Sequence, residues 1–593
     1  MRITAKKSRV LDRYALNGDW PARLGSPTVT PVHQPATVPS SPTDVVADRY
    51  VEDYCGLEPI AATFFGVAGH ETELTDFSAD GFNARADLAR RAAADLRAIQ
   101  PANDRERVAN AAMAERLSTE LDLFDAGDLA PELNTTASPL QSLRIVFDLM
   151  ATDTEDDWAT IASRMAKLPA AFEAYAGGLD VAAADGRVVA QRQVRTCADI
   201  AARWAGDEKT SPFFAGLVER SNADGTLRRD LDAAASAAAQ ALRTFSGFLT
   251  DRLLPVAPVS DAVGQARYGR WLRYFTGADL DLAETYEWGW SELARIVGEK
   301  DKVAEQISPG KGLAAAIAAL DDDPARILHG REELTRWLQT TADDAVDALA
   351  GTHFDIPGPV RSIEGKLSPT SGEGIYYTAP SEDFRRPGRM WWSLPEDAEE
   401  FTTWREKTTV YHEGVPGHHL QIAQTVYRAD LLNRYQRLML WSSGHGEGWA
   451  LYAERLMAEL GFLDDPGDRL GMLDAQGFRA ARVVLDIGMH LELPIPNGTG
   501  FHEGAIWNPE IGLDFLRVHA SMDDQMRRDE LNRYLGWPGQ APSYKVGERV
   551  WLEARADAET RLGAAFDLRA FHTAALNLGG LGLDLLRAEL ARL

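Results

Sequence analysis

The sequence is poor in cysteine, in basic charge and in long apolar runs. Only Cys55 and Cys197 occur among 593 residues, which excludes a disulfide framework and a CxxC site. Asp and Glu outnumber Lys and Arg by 89 to 62, for a formal net charge of -27. Because phosphate-binding surfaces need clustered cations, no nucleic-acid partner is expected. No apolar run reaches about 18 residues, so neither a membrane span nor a membrane partner is expected.

The start of the chain has no apolar leader. Its first segment, MRITAKKSRVLDRYALNGDW, is basic but returns to charged and polar residues before an apolar region forms. Together with the shortage of cysteine, this predicts a cytoplasmic location. Residues 25–44 are rich in Pro, Ser and Thr, a composition that suits an extended tether. We therefore expect a flexible lead over residues 1–44.

The remaining chain, residues 45–593, is predicted to form a single helical catalytic domain. To about residue 350, apolar residues recur at intervals of three and four, which is the helical period. Clustered aromatics and Gly and Pro breaks between about 373 and 395 predict two short strands or extended segments. Helical character then returns. The predicted fold class is therefore mainly α, with a small β element near the residues that carry the chemistry.

Histidines are concentrated in one short part of the chain. Of the 12 histidines, four lie close together, at His412, His418, His419 and His445, and Glu413 follows the first. A lone histidine is usually structural. Neutral imidazole with a carboxylate, however, is the common ligand set of catalytic zinc, so this cluster predicts a Zn²⁺ site.

The spacing of these histidines departs from HExxH, the usual helical pattern for such a site. Six residues of regular helix turn through about 600°, which leaves His412 and His418 on nearly opposite faces. Pairing His412 with His419 restores the face but separates the two by roughly 10 Å along the axis. The intervening GVPG can make the helix bulge. If two residues of GVPG are left out of the count, the segment becomes HExxH with His418 as the second ligand. His419 would require three residues to be left out, so we prefer His418.

A glutamate is expected to complete the ligand set. Glu447 begins a helix in HGEGWALYAERL, where small neighbours would let a metal approach closely. The competing interpretation is that Glu447 and Glu454 only solvate an exposed helix face. Glu413 is expected to be the general base, because it directly follows the first histidine ligand.

The segment RVVLDIGMH carries Arg482, Asp486 and His490 at i, i+4 and i+8. One helix face therefore presents a cation, a carboxylate and an imidazole. A salt-bridged surface stripe would have the same pattern. The apolar residues between them favour a buried helix, and buried charges need a partner or a function.

The loop WPGQAPSYKVG delivers Tyr544 and Lys545 to the start of another helix. Amide hydrolysis needs a donor for the oxyanion and often a cation for a substrate carboxylate. We expect Tyr544 or His490 to stabilise the oxyanion. Lys545, Arg482 and His419 are the candidate substrate-binding residues.

The motifs that contain these residues resemble those of a bacterial family catalogued as domain of unknown function 885. The matching segments are HEGVPGHHLQ (412–421), EGWALYAE (447–454), RVVLDIGMH (482–490) and RYLGWPGQAPSYKVG (533–547). The segment VEDYCGLEPIAATFFGVAGHE (51–71) is similar to that family's start. The resemblance therefore covers roughly the whole chain after Val45.

The resemblance implies a mostly helical fold similar to gluzincin-type zinc peptidases, which are related to angiotensin-converting enzyme and thermostable carboxypeptidase. It implies a channel between two lobes, at approximately residues 45–350 and 351–593. The ligand set of those peptidases carries over by position to His412, His418 and Glu447, with Glu413 as base.

These features predict a zinc-dependent metallohydrolase of the peptidase type, of carboxypeptidase or oligopeptidase character, with a peptide or small amide as substrate. One alternative is a metal-dependent amidase that acts on non-peptide small molecules. Another is a non-catalytic helical scaffold with a structural metal. Structural zinc sites usually use Cys and His at all four positions, and the histidine cluster contains no cysteine.

Overall fold

The computed structural model describes residues 40–206, 211–368, 374–395 and 398–593. All of them belong to one compact unit, Gln34–Leu593. The predicted lead lies outside the described residues as far as residue 39. Its last residues are helical, because Ser41 caps the first helix with its side chain and Pro42 begins it.

Most of the described residues are helical, which confirms the mainly α fold class. The helices before the small sheet are α1 (Pro42–Leu57), α2 (Pro59–Phe65), α3 (Ala79–Ala98), α4 (Asp104–Asp125), α5 (Pro139–Ile145), α6 (Glu155–Met165), α7 (Leu168–Ala184), α8 (Gln191–Ala205), α9 (Phe213–Glu219), α10 (Gly225–Phe248), α11 (Gly264–Thr276), α12 (Leu282–Ile307), α13 (Gly312–Asp321) and α14 (Arg331–Leu349).

The helices after the sheet contain all the predicted site residues. They are α15 (Thr403–Glu413), α16 (His418–Tyr427), α17 (Arg434–Leu438), α18 (Ser443–Glu459), α19 (Pro466–His490), α20 (Pro509–His519), α21 (Asp524–Gly536), α22 (Ser543–Leu562), α23 (Leu568–Leu576) and α24 (Leu583–Leu590).

Two small sheets accompany the helices. Strand β1 (Ile327–His329) pairs antiparallel with β5 (Glu400–Thr402). The second sheet has the order β2-β4-β3, with β2 (Ile363–Leu367) parallel and β3 (Ile375–Thr378) antiparallel to β4 (Gly388–Trp392). The positions of β3 and β4 confirm the strands predicted between about 373 and 395. The β4 strand contacts α16, so this sheet lies beside the histidine cluster.

Two large apolar clusters form most of the core. One consists mainly of residues from α5 to α10. The other joins α1, α3 and α4 to α12 and to the helices from α15 onward. Within the second cluster α18 packs against α22, and α15 packs against both α18 and α19. This packing brings together helices that are distant in sequence.

Helix α19 shows how local sequence and packing combine. Asp465 caps its first turn by accepting hydrogen bonds from the Gly467 and Asp468 amides at 2.8 and 3.1 Å, and Pro466 occupies the first helical position. Its last two turns are completely buried, as the apolar residues of RVVLDIGMH predict. Among the described residues, no helix combines the length and the apolar character that a membrane crossing requires.

Candidate metal centre

The helix that carries His412 ends directly after it, and a new helix begins at His418. Helix α15 ends at Glu413, the Val415–Pro416 peptide is cis, and α16 starts at His418. The predicted bulge within one helix is therefore a full break between two helices. Pro416 cannot donate a hydrogen bond to a preceding carbonyl, which is why the helix cannot continue through this turn.

Close backbone contacts hold the turn in place. A Cβ atom on Gly417 would lie 1.9 Å from the His412 carbonyl oxygen, so only glycine fits there. The indole of Trp449, from α18, donates to the Pro416 carbonyl at 2.8 Å. Trp449 is fully buried. The turn between the two histidines is thus attached to the helix that carries Glu447.

The three predicted ligands come together at this point. The Oε2 atom of Glu447 lies 3.5 Å from His412 Nε2 and 3.3 Å from His418 Nε2. All three donor atoms lie within 4.8 Å of one another. Both separations exceed the usual N–H···O distance of about 2.9 Å. They match the spacing of about 3.3 Å between tetrahedral ligands that each lie about 2.0 Å from one ion. These two carboxylate–imidazole separations therefore fit a zinc-sized cation.

A second carboxylate orients the first ligand. Glu454 Oε1 lies 2.7 Å from His412 Nδ1, so this nitrogen carries the proton and Nε2 keeps its lone pair for a cation. Gln476 from α19 donates to Glu454 Oε2 at 3.2 Å and accepts from Lys545 Nζ at 2.7 Å. Such a carboxylate behind a ligating histidine raises its basicity and fixes its ring.

Carboxylates outnumber imidazoles around the three predicted ligands. Burial lowers the pKa of His412, but the neighbouring carboxylates of Glu447, Glu454 and Glu413 raise it more, to about 9. Burial raises the pKa of Glu447, yet the two histidines hold it well below its usual range. Three carboxylates, including Glu413, thus surround two imidazoles. A divalent cation would balance this charge.

Glu413 lies beside the ligands without joining them. It is buried, and its Oε2 atom has no hydrogen-bond partner among the described residues. Burial raises the pKa of its carboxyl, while His418 and His412 oppose that rise. A buried oxygen without a partner is costly unless water or substrate contacts it. The position therefore suits a proton acceptor.

Helices α18 and α22 approach closely because glycines face each other. A Cβ atom on Gly547 would lie 1.8 Å from the Gly444 carbonyl oxygen, and one on Gly448 would lie 2.4 Å from the Gly547 carbonyl carbon. This contact brings Tyr544 near Glu447. Burial raises the pKa of Tyr544, and the Glu447 carboxylate adds to that rise, so the phenol keeps its proton. Its hydroxyl has no hydrogen-bond partner among the described residues and can donate to another molecule.

Lys545 points away from this phenol. It is 1% exposed, and its ammonium contacts Glu548 directly and Glu292 at 2.9 Å, in addition to Gln476. Protein acceptors therefore already surround it. The geometry gives no support to the predicted contact between Lys545 and a substrate carboxylate.

His419 faces the small sheet. Its Nε2 atom lies 2.7 Å from the Val360 carbonyl and Nδ1 lies 3.0 Å from the Tyr377 hydroxyl. Burial lowers the pKa of His419 to about 4, so the ring is neutral. Because both nitrogens are engaged, neither is left for a metal or a substrate. His445, also in the cluster, accepts from the Leu581 amide at 3.0 Å.

His490 lies in a different buried network. Its Nε2 atom contacts the Tyr534 carbonyl at 3.0 Å, and burial lowers its pKa to about 4. Asp486 accepts from the Tyr268 hydroxyl at 2.8 Å and from the Gly539 amide at 2.9 Å. The residues that contact His490 and Asp486 in this way lie on α11, on α21 and in the loop that follows α21. Of the two residues predicted to stabilise the oxyanion, Tyr544 and His490, the geometry therefore favours Tyr544.

Arg482 supports that tyrosine. Its guanidinium lies 4.9 Å from the centre of the Tyr544 ring, donates to the Tyr534 hydroxyl at 2.9 Å and pairs with Glu530 at 3.0 Å. A substrate would compete with these contacts. Arg482 is thus placed to position Tyr544 and not to bind substrate directly.

Three further residues lie near the site, namely Glu454, Gln476 and Arg479. The sequence did not indicate Gln476 or Arg479, and Glu454 was considered only as a residue of an exposed helix face. Glu454 follows Glu447 by seven residues and so lies on the same helix face two turns later, a spacing that could have identified it. Gln476 and Arg479 precede the recognised motif in α19. No pattern in the sequence indicates them.

Two solved structures share the fold of this chain. One is a putative lipoprotein from Colwellia psychrerythraea, with a TM-score of 0.81, 22% identity and coverage of 93% of this chain and 99% of that one. The other is a putative lipoprotein of unknown function from Shewanella oneidensis, with a TM-score of 0.69, 15% identity and the same coverages. No curated protein matches the chain.

The names of both structures contradict the predicted cytoplasmic location, because both describe lipoproteins. That prediction depended on cysteine content and on the first residues of the chain. Neither property reports directly where a folded protein is located, so the prediction was wrong.

A family model covers nearly the whole chain. It matches residues 59–590, which include the metal-centre residues and every other predicted site residue. The predicted family is confirmed by this match. The chain belongs to the family described as bacterial protein of unknown function, DUF885.

Proposed function

We propose that this protein is a zinc-dependent hydrolase of amide bonds, with peptides as substrates. The observation that carries the proposal is the meeting of His412, His418 and Glu447 at ligand spacing, beside the partnerless oxygen of Glu413. Two imidazoles and a carboxylate, with a second glutamate after the first histidine, are the groups that hydrolytic zinc sites use.

A catalytic role is favoured over a structural one by the number of donors. Structural zinc sites fill four positions with protein ligands, whereas catalytic sites keep a position for water or substrate. Among the described residues the cluster has three donors. We extend the proposal to the fold, as a two-lobed metallopeptidase of the gluzincin type, on the basis of this ligand set.

The chain's own residues can perform the proton transfers of amide hydrolysis. A bound zinc ion would supply Lewis-acid polarisation of the scissile carbonyl and would acidify water. Glu413 accepts the proton of the attacking water and then donates it to the leaving amine. Tyr544 donates a hydrogen bond to the developing oxyanion, and Arg482 holds the phenol in position. Glu454 keeps His412 in the required tautomer.

Metal analysis of the purified variants tests the ligand assignment. Wild type should bind about one zinc per chain, and His412→Ala, His418→Ala and Glu447→Ala should each lose it. The control is His419→Ala, which removes a neighbouring buried imidazole but should retain zinc, because both of its nitrogens contact protein groups. Stoichiometric zinc in the first three variants, on folded protein, would refute the site.

A substrate screen then separates peptidase from amidase activity. Zinc-loaded wild type should cleave members of a mixed peptide library, and Glu413→Gln should not. Cleavage of small non-peptide amides alone would replace the peptidase proposal with the amidase alternative. An inactive protein that nevertheless holds zinc at this site would support the scaffold alternative.

A further inference from the structure

Arg479 is a half-buried cation close to the candidate metal centre, and among the described residues it pairs with no carboxylate. Its only hydrogen bond within the described residues goes to the Ala475 carbonyl, one turn earlier in the same helix, at 3.4 Å. Its Nε atom is buried and has no partner. The next arginine on this helix face, Arg482, is paired with Glu530 at 3.0 Å.

The position of Arg479 in α19 places it between two residues of the site. Three residues earlier, Gln476 contacts Glu454 at 3.2 Å, and three residues later Arg482 lies 4.9 Å from the Tyr544 ring. Residues three apart are neighbours on a helix surface. Arg479 therefore lies on the arc of α19 that faces both Glu454 and the proposed oxyanion donor.

Electrostatic effects agree with this placement. Burial is the largest influence on the pKa of Glu413, of Glu454 and of Tyr544, and the positive charge of Arg479 opposes it in all three cases. One cation thus acts on the proposed base, on the carboxylate behind His412 and on the phenol.

We propose that Arg479 binds the free carboxylate of the substrate, so that the enzyme prefers peptides and acylamino acids whose scissile bond lies next to a C-terminal carboxylate. This inference rests on the proposed hydrolase function and names its substrate class. A guanidinium binds a carboxylate with two parallel charge-assisted hydrogen bonds, which a terminal amide cannot reproduce. Lys545, the cation expected from the sequence, has its ammonium occupied by Glu292 and Glu548.

Hydrolysis of paired substrates tests the proposal. Each pair consists of one peptide with either a free C-terminal carboxylate or a C-terminal amide, offered to the zinc-loaded full chain. Wild type should show kcat/KM about tenfold to a hundredfold higher for the acid, the usual range for one charge-assisted pair. Arg479→Gln should lose that preference, so that its kcat/KM for the acid falls to that for the amide.

Arg469→Gln is the matched control. Arg469 lies on the same helix, is also half-buried and makes no ion pair within the described residues. It is about 15 Å from Arg479 along the axis. Its variant should keep the wild-type preference. Equal cleavage of acid and amide by wild type, or equal loss of both in Arg479→Gln, would overturn the assignment.

A binding measurement distinguishes this inference from the proposed function. Calorimetry with N-acetyl-leucine and N-acetyl-phenylalanine, and with their amides, requires no hydrolysis. Wild type and Glu413→Gln should bind the acids at least about tenfold more tightly than the amides, and Arg479→Gln should bind both equally. Preference for the acids without any cleavage would refute the hydrolase and retain the carboxylate site. Cleavage without any preference would refute the carboxylate site and retain the hydrolase.

Discussion

The chemistry proposed for this protein depends on a few buried charges that lack ordinary partners. Within the part of the chain that the structure describes, Glu413 has a buried oxygen without a donor, and Arg479 has a buried nitrogen without an acceptor. Other buried charges near the site are paired, as Arg482 is with Glu530 and Lys545 with Glu292. Leaving a buried polar atom without a partner costs about 1–3 kcal/mol. At Glu413 and Arg479, a ligand would recover that free energy.

The first prediction concerns Glu413. Glu413→Gln preserves the shape of the side chain and removes its basicity, so zinc should be retained while turnover falls at least about a hundredfold. Metal analysis and kcat on the same preparation measure the two effects. The melting temperature should change little, since the amide fits the same space. Loss of zinc would identify Glu413 as a ligand, and full activity would mean that another residue accepts the proton.

At the scale of elements, the site depends on one helix break and one close helix crossing. The break between α15 and α16 brings His418 beside His412 and Glu447, and Trp449 attaches the turn to α18. The crossing of α18 and α22 brings Glu447 close to Tyr544 and depends on Gly547. Both features involve backbone contacts that exclude a Cβ atom.

The second prediction concerns that crossing. Gly547→Ala would place a Cβ atom 1.8 Å from the Gly444 carbonyl oxygen, so α22 must move away from α18. We expect a loss of about 1–3 kcal/mol in the free energy of unfolding, the usual cost of overpacking. Zinc affinity should also fall. Urea titration of the metal-free protein and zinc titration of the folded protein measure the two effects.

Gly298→Ala is the control for this substitution. Gly298 lies inside α12, and a Cβ atom there would meet nothing within 4 Å. Alanine should leave stability unchanged or raise it by up to about 1 kcal/mol, because alanine favours helix more than glycine does. Equal stability of both alanine variants and the wild type would show that the crossing tolerates a larger separation.

At the scale of the whole molecule, the candidate metal centre connects parts of the chain that are far apart in sequence. Its ligands lie on α15, α16 and α18, and the residues behind them lie on α19 and α22. The same helices contribute to the larger apolar cluster. Occupation of the site is therefore expected to stabilise the fold around it.

The third prediction follows from this connection. A cation that binds only the folded protein should raise its stability, by about 2.7 kcal/mol when free zinc is a hundredfold above the Kd. The melting temperature of wild type should rise with zinc and fall with a chelator. Glu447→Ala should respond to neither. An identical response in wild type and variant would show that zinc acts at another site.

The sequence by itself determined the helical class, because helical period is a local property. It also predicted the residues of the candidate metal centre, because the spacing of histidines and glutamates is local too. It also placed the departure from the helical path at GVPG, where proline and glycine act on their own backbone, although it predicted a bulge and not a break between two helices. Only the tertiary structure decided which neighbours each buried polar group acquired. His419 contacts the sheet, His490 contacts α21 and Lys545 contacts α12 because packing, and not spacing, selects those partners. Arg479 could be recognised only there, because the lack of a carboxylate partner is a property of the folded surroundings.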